Sequence, residues 1–259
     1  MLFRNVSSKW KSYRYRFSPW LKFNIRKRNA RQVAGNLDKI LEDEDIIGNI
    51  AEFFVALEKK GTEDVDSVMN RHFGFVVHRG PSKVVDGDMG VIVSKGYIPA
   101  GSVTSIYPGT IYQPYDPIFF QSINNSFIFR CLDGIHIDGN DKRLSKMIFR
   151  SCSQRDCVGP YMVSDMSWLT HELSNPLSIG QYVNNQTKKF PANVAYQEID
   201  FTENFAFELR KYLPYICYSA SSDIGQSSTN RLIRSVVLVS LRDIHEGEEL
   251  LSSYFNIIS

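Results

Sequence analysis

Cysteine is scarce in this sequence: four residues in 259, with no Cys-x-x-Cys pair. The two closest, Cys152 and Cys157, have no second pair or nearby histidine to complete the four ligands of a structural zinc site. We therefore predict no bound metal and four reduced thiols, which are typical of an intracellular protein. No apolar run approaches the roughly 20 residues that a bilayer-spanning helix needs, so no transmembrane segment is predicted.

The glycine patterns of two nucleotide-binding folds are absent as well. The chain has neither the Gly-x-Gly-x-x-Gly fingerprint of dinucleotide sites nor a phosphate-binding P-loop. Short β-rich runs dominate from Arg71 onward, separated by turn-forming clusters: Phe73–His78, Gly90–Ser94, Val103–Tyr107, Ser126–Cys131 and Val236–Leu241. Many short strands with few helices between them argue against a doubly wound parallel sheet. The pattern predicts a mainly β fold with some helix, of the α+β class.

Acidic residues are missing from the first 31 positions, which hold ten lysines or arginines. The rest of the chain carries 20 basic and 28 acidic side chains, so the two parts have opposite net charge. Three interpretations of this basic leader remain open. It is a mitochondrial transit peptide, it contacts an anionic partner such as nucleic acid, or it packs on the acidic remainder through Trp10 and Trp20. The nucleus or cytoplasm is the favoured compartment, and the leader adds the mitochondrion as an alternative.

Apolar residues recur at helical spacing between Val33 and Lys60, which predicts one or two amphipathic helices. Gly48 is a candidate break between them, and Gly61 is a candidate stop signal. We divide the chain into a basic leader and helical region over residues 1–70 and a β-rich domain over residues 71–259. An insert is expected in this domain near residues 141–179.

Three motif blocks stand out within the β-rich domain. The first is Gly87-Asp88-Met89-Gly90, where a glycine bend allows a close approach of backbone to a ligand. The second is Gly180-Gln181-Tyr182-Val183-Asn184-Asn185, followed by Pro191-Ala192-Asn193, and its amides offer both hydrogen-bond donors and acceptors. The third is Ile244-His245-Glu246-Gly247-Glu248-Glu249-Leu250, which is followed by Tyr254.

In this order, the three blocks resemble the signature of the SET-domain protein-lysine methyltransferases. The third block is the most specific, because it is similar to the family's I-x-x-G-E-E-L-x-x-x-Y. The resemblance covers about Phe73 to Ser259. It implies a SET-type fold, in which several small β-sheets surround a pseudoknot formed by the last two blocks. In this chain, an N-terminal helical region would be added to that fold.

The resemblance also implies a reaction, the transfer of a methyl group from S-adenosylmethionine to a lysine side chain of a protein substrate, without a metal. Tyr254 would be the catalytic phenol. Tyr182 and Phe255 would line the substrate channel. The expected cofactor-binding residues are Asp88, Met89, Gly90, Tyr182, Asn184, Asn185 and Tyr254.

Three departures from the family pattern bear on this implied activity. Asp88 stands where the family places the first glycine of its bend. Asn185 replaces the usual histidine, and an amide can hydrogen-bond but cannot form an aromatic wall. The sequence ends five residues after Tyr254, without the cysteine-rich zinc segment of many relatives. Closure of the channel is therefore expected from Phe255–Ser259, from the insert at 141–179, or from a partner. The alternative function is a catalytically degenerate SET module that acts as a protein-interaction domain.

Overall fold

The structure is a computed structural model that describes residues 39–202, 205–219 and 232–253, and the backbone alone of residues 13–15, 31–33 and 255–258. Within these ranges the fold is mixed α+β, with short strands arranged in five small sheets and a few helices. The predicted fold class is therefore confirmed. In this described part of the chain, no helix is long and apolar enough to cross a membrane.

Helix α1 spans Asp43–Glu58 and begins with three acidic residues, which interact favourably with the positive end of the helix dipole. The helix runs through Gly48 without interruption, so the predicted break is wrong. A glycine inside a helix costs about 1 kcal/mol relative to alanine, whereas each large apolar side chain that is buried contributes roughly 1.5–3 kcal/mol. The buried face of α1 offsets the glycine with Ile46, Ile50, Phe53, Phe54 and Leu57. The helix ends before Gly61, in agreement with the predicted stop.

Helix α2 spans Val65–Phe73 and was not anticipated from the sequence. Its end signals are nevertheless present. The side chain of Asp64 accepts hydrogen bonds from the backbone N–H groups of Asp66 at 2.9 Å and Ser67 at 3.3 Å, which caps the first turn. Gly74 terminates the helix in the left-handed region, with φ of 80°.

The five predicted β-rich runs each overlap a strand. The strands are β1 (Tyr13–Tyr15), β2 (Arg31–Val33), β3 (Phe75–Pro81), β4 (Met89–Ile98), β5 (Val103–Ile106), β6 (Gly109–Tyr112), β7 (Ile128–Arg130), β8 (His136–Asp138), β9 (Asn184–Asn185), β10 (Val194–Phe201), β11 (Tyr215–Cys217), β12 (Ile233–Ser240), β13 (Ile244–His245), β14 (Leu251–Ser252) and β15 (Phe255–Ile258). The sheets have the orders β13-β4-β3, β10-β12-β5, β11-β6-β8-β7, β14-β9 and β1-β15-β2.

Helices α1 and α2 share one hydrophobic core with the sheets β13-β4-β3, β10-β12-β5 and β11-β6-β8-β7. Phe54 of α1 packs edge-on against Phe205, with ring centroids 6.3 Å apart. Its ring also contacts that of Tyr212 in a tilted arrangement, with centroids 5.4 Å apart. All four cysteines are free thiols, as predicted. The division of the chain at residue 70 remains a prediction of where the SET domain begins.

The region of the predicted insert has a small core of its own. It contains helix α4 (Arg143–Arg155), which follows the one-turn helix α3 (Phe119–Ser122) along the chain. Phe149 of α4 meets the buried Trp168 edge-on, with ring centroids 5.0 Å apart. Cys152, Leu169 and Ile216 complete this second apolar cluster.

Backbone from the basic leader pairs with backbone near the other end of the chain. Strand β15 lies between β1, which is antiparallel to it, and β2, which is parallel to it. The described leader residues, Tyr13–Tyr15 and Arg31, thus belong to a sheet, in accord with the packing interpretation of the leader. Trp10 and Trp20, the expected anchors, lie outside the described residues. The transit-peptide and nucleic-acid interpretations remain open.

Candidate active site

The third motif block lies along the edge of β4, opposite β3. The backbone N–H of Val93 donates to the carbonyl of Glu248 at 2.9 Å, and the N–H of Gly247 donates back to the carbonyl of Val93 at 2.8 Å. The N–H of Leu250 donates to the carbonyl of Val91 at 2.7 Å. The third block is therefore joined to the strand that begins within the first block.

On its other side, the third block bonds to the second. Strand β14 pairs in parallel with β9, so that Leu251 lies opposite Asn184 and Ser252 opposite Asn185. The N–H of Gln186 extends this pairing by donating to the carbonyl of Ser252 at 2.8 Å. A late segment of the chain thus lies between two earlier ones, which is the pseudoknot-like arrangement that the resemblance implied.

Asn193 links these two blocks through its buried side chain. Its Nδ2 donates to the carbonyl of Glu249 at 2.9 Å, and its Oδ1 accepts from the N–H of Leu251 at 2.8 Å. Its backbone bonds as well, with the N–H donating to the carbonyl of Leu251 at 2.9 Å. One asparagine therefore bonds both a donor and an acceptor of the crossing chain, a task that requires an amide.

Glu249 is the acid at the centre of the site, and its side chain is 6% exposed. Its carboxylate accepts from the hydroxyl of Ser82 at 2.8 Å, from the backbone N–H of Lys83 at 2.7 Å and from Nδ2 of Asn184 at 3.0 Å. These three donors are neutral. Because burying a carboxylate is costly without such hydrogen bonds, the three contacts allow an acidic group to sit inside the protein.

Gly90 makes room for this carboxylate. A Cβ atom built on Gly90 would lie 2.8 Å from Cδ of Glu249, a distance that real Cβ atoms essentially never show, and 3.3 Å from Cγ, which is tighter than most Cβ contacts. From the sequence, we predicted that this glycine allows the backbone to approach a bound ligand closely. In the structure, the neighbour that requires a glycine here is the side chain of Glu249.

Asn184 brings the first and second blocks together. Its Nδ2 donates to the carbonyl of Met89 at 2.9 Å as well as to Glu249. Met89 itself is 41% exposed at the beginning of β4. Asp88 lies in the turn between β3 and β4 with an exposed side chain, and its carbonyl accepts from the N–H of Ser82 at 2.8 Å. The structure thus groups Met89, Gly90 and Asn184, and it places Asp88 at the exposed margin of the group.

Tyr182 connects the second block to the insert. Its hydroxyl donates to Oδ2 of Asp141 at 2.6 Å, and the guanidinium carbon of Arg79 lies 5.8 Å from its ring centroid. Burial is the main cause that raises the pKa of the Tyr182 phenol, and the hydrogen bond to Asp141 raises it further. The edge of the Phe127 ring faces it, with centroids 6.4 Å apart. The half-buried side chain therefore contacts Arg79 through its ring and Asp141 through its hydroxyl, which remains protonated.

The remaining predicted site residues are described only in part. Asn185 is half-buried on β9, one position after Asn184. Tyr254 lies outside the described residues. Phe255 is the first residue of β15 and is described by its backbone alone. The predicted roles of these residues therefore remain predictions.

No individual role was predicted from the sequence for Glu249, Ser82 or Asn193, although Asn193 was named as part of the second block. A signal was present for Glu249, because it forms part of the Glu248-Glu249 pair of the third block. Neighbouring residues in extended chain point to opposite sides, so one acid of the pair faces the protein and the other faces solvent. The other, Glu248, pairs with Arg242 at 2.6 Å, and this guanidinium lowers the pKa of its carboxyl group.

A separate group of potential metal ligands lies outside the motif blocks. Ligand atoms of Cys131, Asp133 and Glu198 lie within 4.8 Å of one another. Arg234 already pairs with this group, at 2.9 Å from Asp133 and 3.3 Å from Glu198. Burial raises the pKa of the Cys131 thiol, which disfavours the thiolate that a metal would bind. The group is an ion-paired cluster, and the absence of a required metal stays a prediction.

Comparison with known proteins finds both similar curated sequences and similar solved structures, whereas no protein-family model matches the chain. Human SET domain-containing protein 9 is 41% identical over 302 residues, which cover 100% of this chain and 99% of the relative. The Pongo abelii protein of the same name is 50% identical over 202 residues, covering 78% of this chain and 71% of the relative.

Two of the similar solved structures are polycomb complexes. A humanized mutant of the Chaetomium thermophilum Polycomb Repressive Complex 2, bound to the inhibitor GSK126, has 14% sequence identity and a TM-score of 0.38. The match covers 79% of this chain and 18% of that one. Autoinhibited ctPRC2 bound to S-adenosylmethionine has 13% identity and a TM-score of 0.39, covering 86% of this chain and 20% of that one.

Proposed function

Because this chain belongs to the SET-domain family, within the group of SET domain-containing protein 9, we propose that it transfers a methyl group from S-adenosylmethionine to a lysine side chain of a protein substrate. The observation that carries the proposal is the convergence of Met89, Asn184 and Glu249, one from each motif block. Three segments that are distant in sequence and bonded through polar side chains are typical of a ligand site more than of an apolar core.

The side chains around this convergence suit the chemistry of S-adenosylmethionine, a cofactor with a sulfonium, an ammonium, a carboxylate and an adenosine group. Glu249 and Asp141 provide carboxylates that favour positive charge, and the guanidinium of Arg79 favours negative charge. The Tyr182 ring offers an aromatic face, and the amide of Asn185 offers a donor and an acceptor. We infer that Met89, Gly90, Tyr182, Asn184 and Asn185 hold the cofactor, with Asp88 at the exposed margin.

When bound, the cofactor supplies an electrophilic methyl group on its sulfonium. The protein's task is to present a neutral amine, because lysine has an ordinary pKa of about 10.4 and is mostly protonated at neutral pH. An apolar channel lowers the pKa of a lysine by desolvation. In this proposal Tyr182 and Phe255 line that channel, and the hydroxyl of Tyr254 accepts a hydrogen bond from the amine and so orients its lone pair. Alignment of this kind accounts for a large part of the rate enhancement in such transfers.

The substrate class rests on charge. Outside the basic leader, the chain has more acidic than basic residues, which suits a basic peptide as the methyl acceptor. The proposal therefore names a lysine in a basic segment of a protein as the acceptor.

The test is transfer of a labelled methyl group from S-adenosylmethionine to proteins in an extract by wild type and by Tyr254→Phe. We expect the substitution to lower transfer by about 100-fold or more. Cofactor affinity measured by calorimetry should fall far less, because Tyr254→Phe retains the aromatic ring next to the cofactor. Tyr115→Phe is the matched control, because Tyr115 is 78% exposed and lies outside the motif blocks. Its transfer should equal that of wild type.

The alternative, a SET module that acts only in protein interaction, predicts a different result. Tight cofactor binding without any transfer would eliminate the enzyme and leave a cofactor-dependent binding module. Absence of cofactor binding as well would leave protein interaction alone.

A further inference from the structure

Strand β15 is the centre of a three-stranded sheet. One edge strand, β1, lies within the basic leader, and the other, β2, begins at the last leader residue, so we call both of them leader strands. In β1, Tyr13 lies opposite Ile257 and Tyr15 lies opposite Phe255. In β2, Arg31 lies opposite Asn256 and Val33 lies opposite Ile258. Two leader strands, separated by 15 residues of sequence, therefore hold the same four-residue segment from both sides.

This segment adjoins the proposed catalytic position. Strand β14 ends at Ser252, two residues before Tyr254, and β15 begins at Phe255, the next residue. Strand β14 is held by β9, and Asn193 bonds the backbone at Glu249 and Leu251. Chain connectivity thus places residue 254 between a segment that the motif blocks hold and a segment that the leader holds.

From this juxtaposition we propose that the leader strands β1 and β2 position Tyr254 for catalysis by holding β15. The inference rests on the proposed function, since it assigns the strands a task in methyl transfer. A short isolated strand is not stable in water, whereas pairing on both edges restrains it. A displacement of about 1 Å at a reacting group can lower a rate by about 100-fold, so restraint next to Tyr254 bears directly on turnover.

The inference also gives the leader a role in the folded protein. A leader that only directs the protein to a compartment is removable, whereas a leader that supplies two strands of the catalytic end is not. Removal of residues 1–33 would delete both partners of β15.

Adjacent proline substitutions in β1 test the inference with a built-in control. Successive N–H groups of a strand point to opposite edges, and β1 has β15 on one edge only. Proline has no N–H, so one of Arg14→Pro and Tyr15→Pro removes a donor that faces β15, and the other removes a donor that faces away. Arg14→Ala and Tyr15→Ala retain the backbone donors and report any contribution of the side chains. Gln32→Pro and Val33→Pro repeat the comparison in β2.

Turnover, cofactor affinity and hydrogen exchange are measured on each full-length variant. We expect one proline of each adjacent pair to lower kcat by about tenfold or more and to accelerate amide exchange in the peptide that contains residues 255–258. In these proline variants, the calorimetric affinity for S-adenosylmethionine and the melting temperature should stay close to those of wild type. The alanine variants should match wild type in kcat, cofactor affinity, melting temperature and amide exchange.

Four outcomes would overturn the inference. Wild-type kcat in all four proline variants would mean that the leader strands do not position the catalytic end. A parallel loss of cofactor affinity and melting temperature would mean that they serve general stability instead. A wild-type protein that transfers no methyl group would contradict the proposed function and this inference together. Unchanged amide hydrogen exchange of residues 255–258 in the proline variants would contradict the pairing of β15 alone.

Discussion

Gly90 lies directly against the carboxylate of Glu249, so that a Cβ atom on Gly90 would come within 2.8 Å of Cδ of the acid. The first motif block of the sequence and the third are therefore complementary in shape at one point. The absence of a side chain at position 90 is what leaves space for a buried acid at position 249, and this acid in turn accepts hydrogen bonds from Ser82 and Asn184.

Gly90→Ala should destabilise the protein by about 1–3 kcal/mol, because overpacking forces neighbouring atoms to shift. The matched control is Gly48→Ala in α1, where a Cβ would meet nothing within 4 Å. Alanine favours the helix, so this control should stabilise the protein by roughly 0.5–1 kcal/mol. Urea unfolding of both variants measures the contrast. Equal effects of the two substitutions would show that the contact with Glu249 is unimportant.

Glu249→Ala should lower the free energy of unfolding by about 2–4 kcal/mol, because it leaves the donors of Ser82, Lys83 and Asn184 without their acceptor. Glu249→Gln retains one acceptor oxygen and should cost less. Glu246→Ala is the control, since Glu246 is an exposed acid in the same block, and a surface change is usually within about 0.5 kcal/mol. Similar losses for Glu246→Ala and Glu249→Ala would contradict the assignment of Glu249 as the buried acid.

Asn193→Ala should cost about 2–3 kcal/mol, because the carbonyl of Glu249 and the N–H of Leu251 lose their side-chain partner in a buried place. Asn193→Asp keeps the acceptor for Leu251 but sets an oxygen against the carbonyl of Glu249. We expect aspartate to be at least as destabilising as alanine. Chemical denaturation measures the order of the two variants, and a harmless aspartate would exclude the donated hydrogen bond.

Tyr182→Phe removes the hydroxyl that donates to Asp141 while keeping the ring. A hydrogen bond to a charged group contributes about 1.5–3 kcal/mol. In a double-mutant cycle with Asp141→Asn, the unfolding free energies should therefore show a coupling of about 1 kcal/mol or more. Additive effects would mean that this contact does not join the insert to the second motif block.

Because Asp138 titrates, the free energy of unfolding should fall as pH rises from about 4 to about 6. Burial raises the pKa of its carboxyl to about 6, above the ordinary value of about 3.9. Between these values the folded state binds more protons than the unfolded state, so the free energy of unfolding falls with rising pH. The free energy of unfolding of wild type minus that of Asp138→Asn should decline by roughly 1–3 kcal/mol between these two pH values and stay constant above them.

Asp64 provides a control of opposite sign for the pH experiment. Hydrogen bonds from Ser67 and Asp66 lower the pKa of its carboxyl group. Its contribution to stability is therefore present above the ordinary pKa and is lost as pH falls through the lowered one. A difference curve for Asp138→Asn that slopes in the same direction as that for Asp64→Asn would contradict the assignment for Asp138.

The sequence by itself determined the family and the strand-rich fold class, because both depend on local information. Each motif block is a short contiguous run, and alternating apolar residues predict strands wherever one face is buried. Gly61 was correctly identified as a stop signal for the same reason. Gly48 was not a break, because its cost is local whereas the apolar face that offsets it packs against distant residues such as Phe205.

Only the tertiary structure decided which residues meet across the sequence. Whether Glu248 or Glu249 is the buried acid depends on the side of the chain that faces β4, and both look alike in the sequence. The pairing of β1 and β2 with β15 joins residues more than 220 positions apart, through backbone groups that every residue carries. Such contacts depend on how the whole chain packs, and no short pattern encodes them. The physical reason is that backbone pairing has no side-chain signature, whereas a motif does.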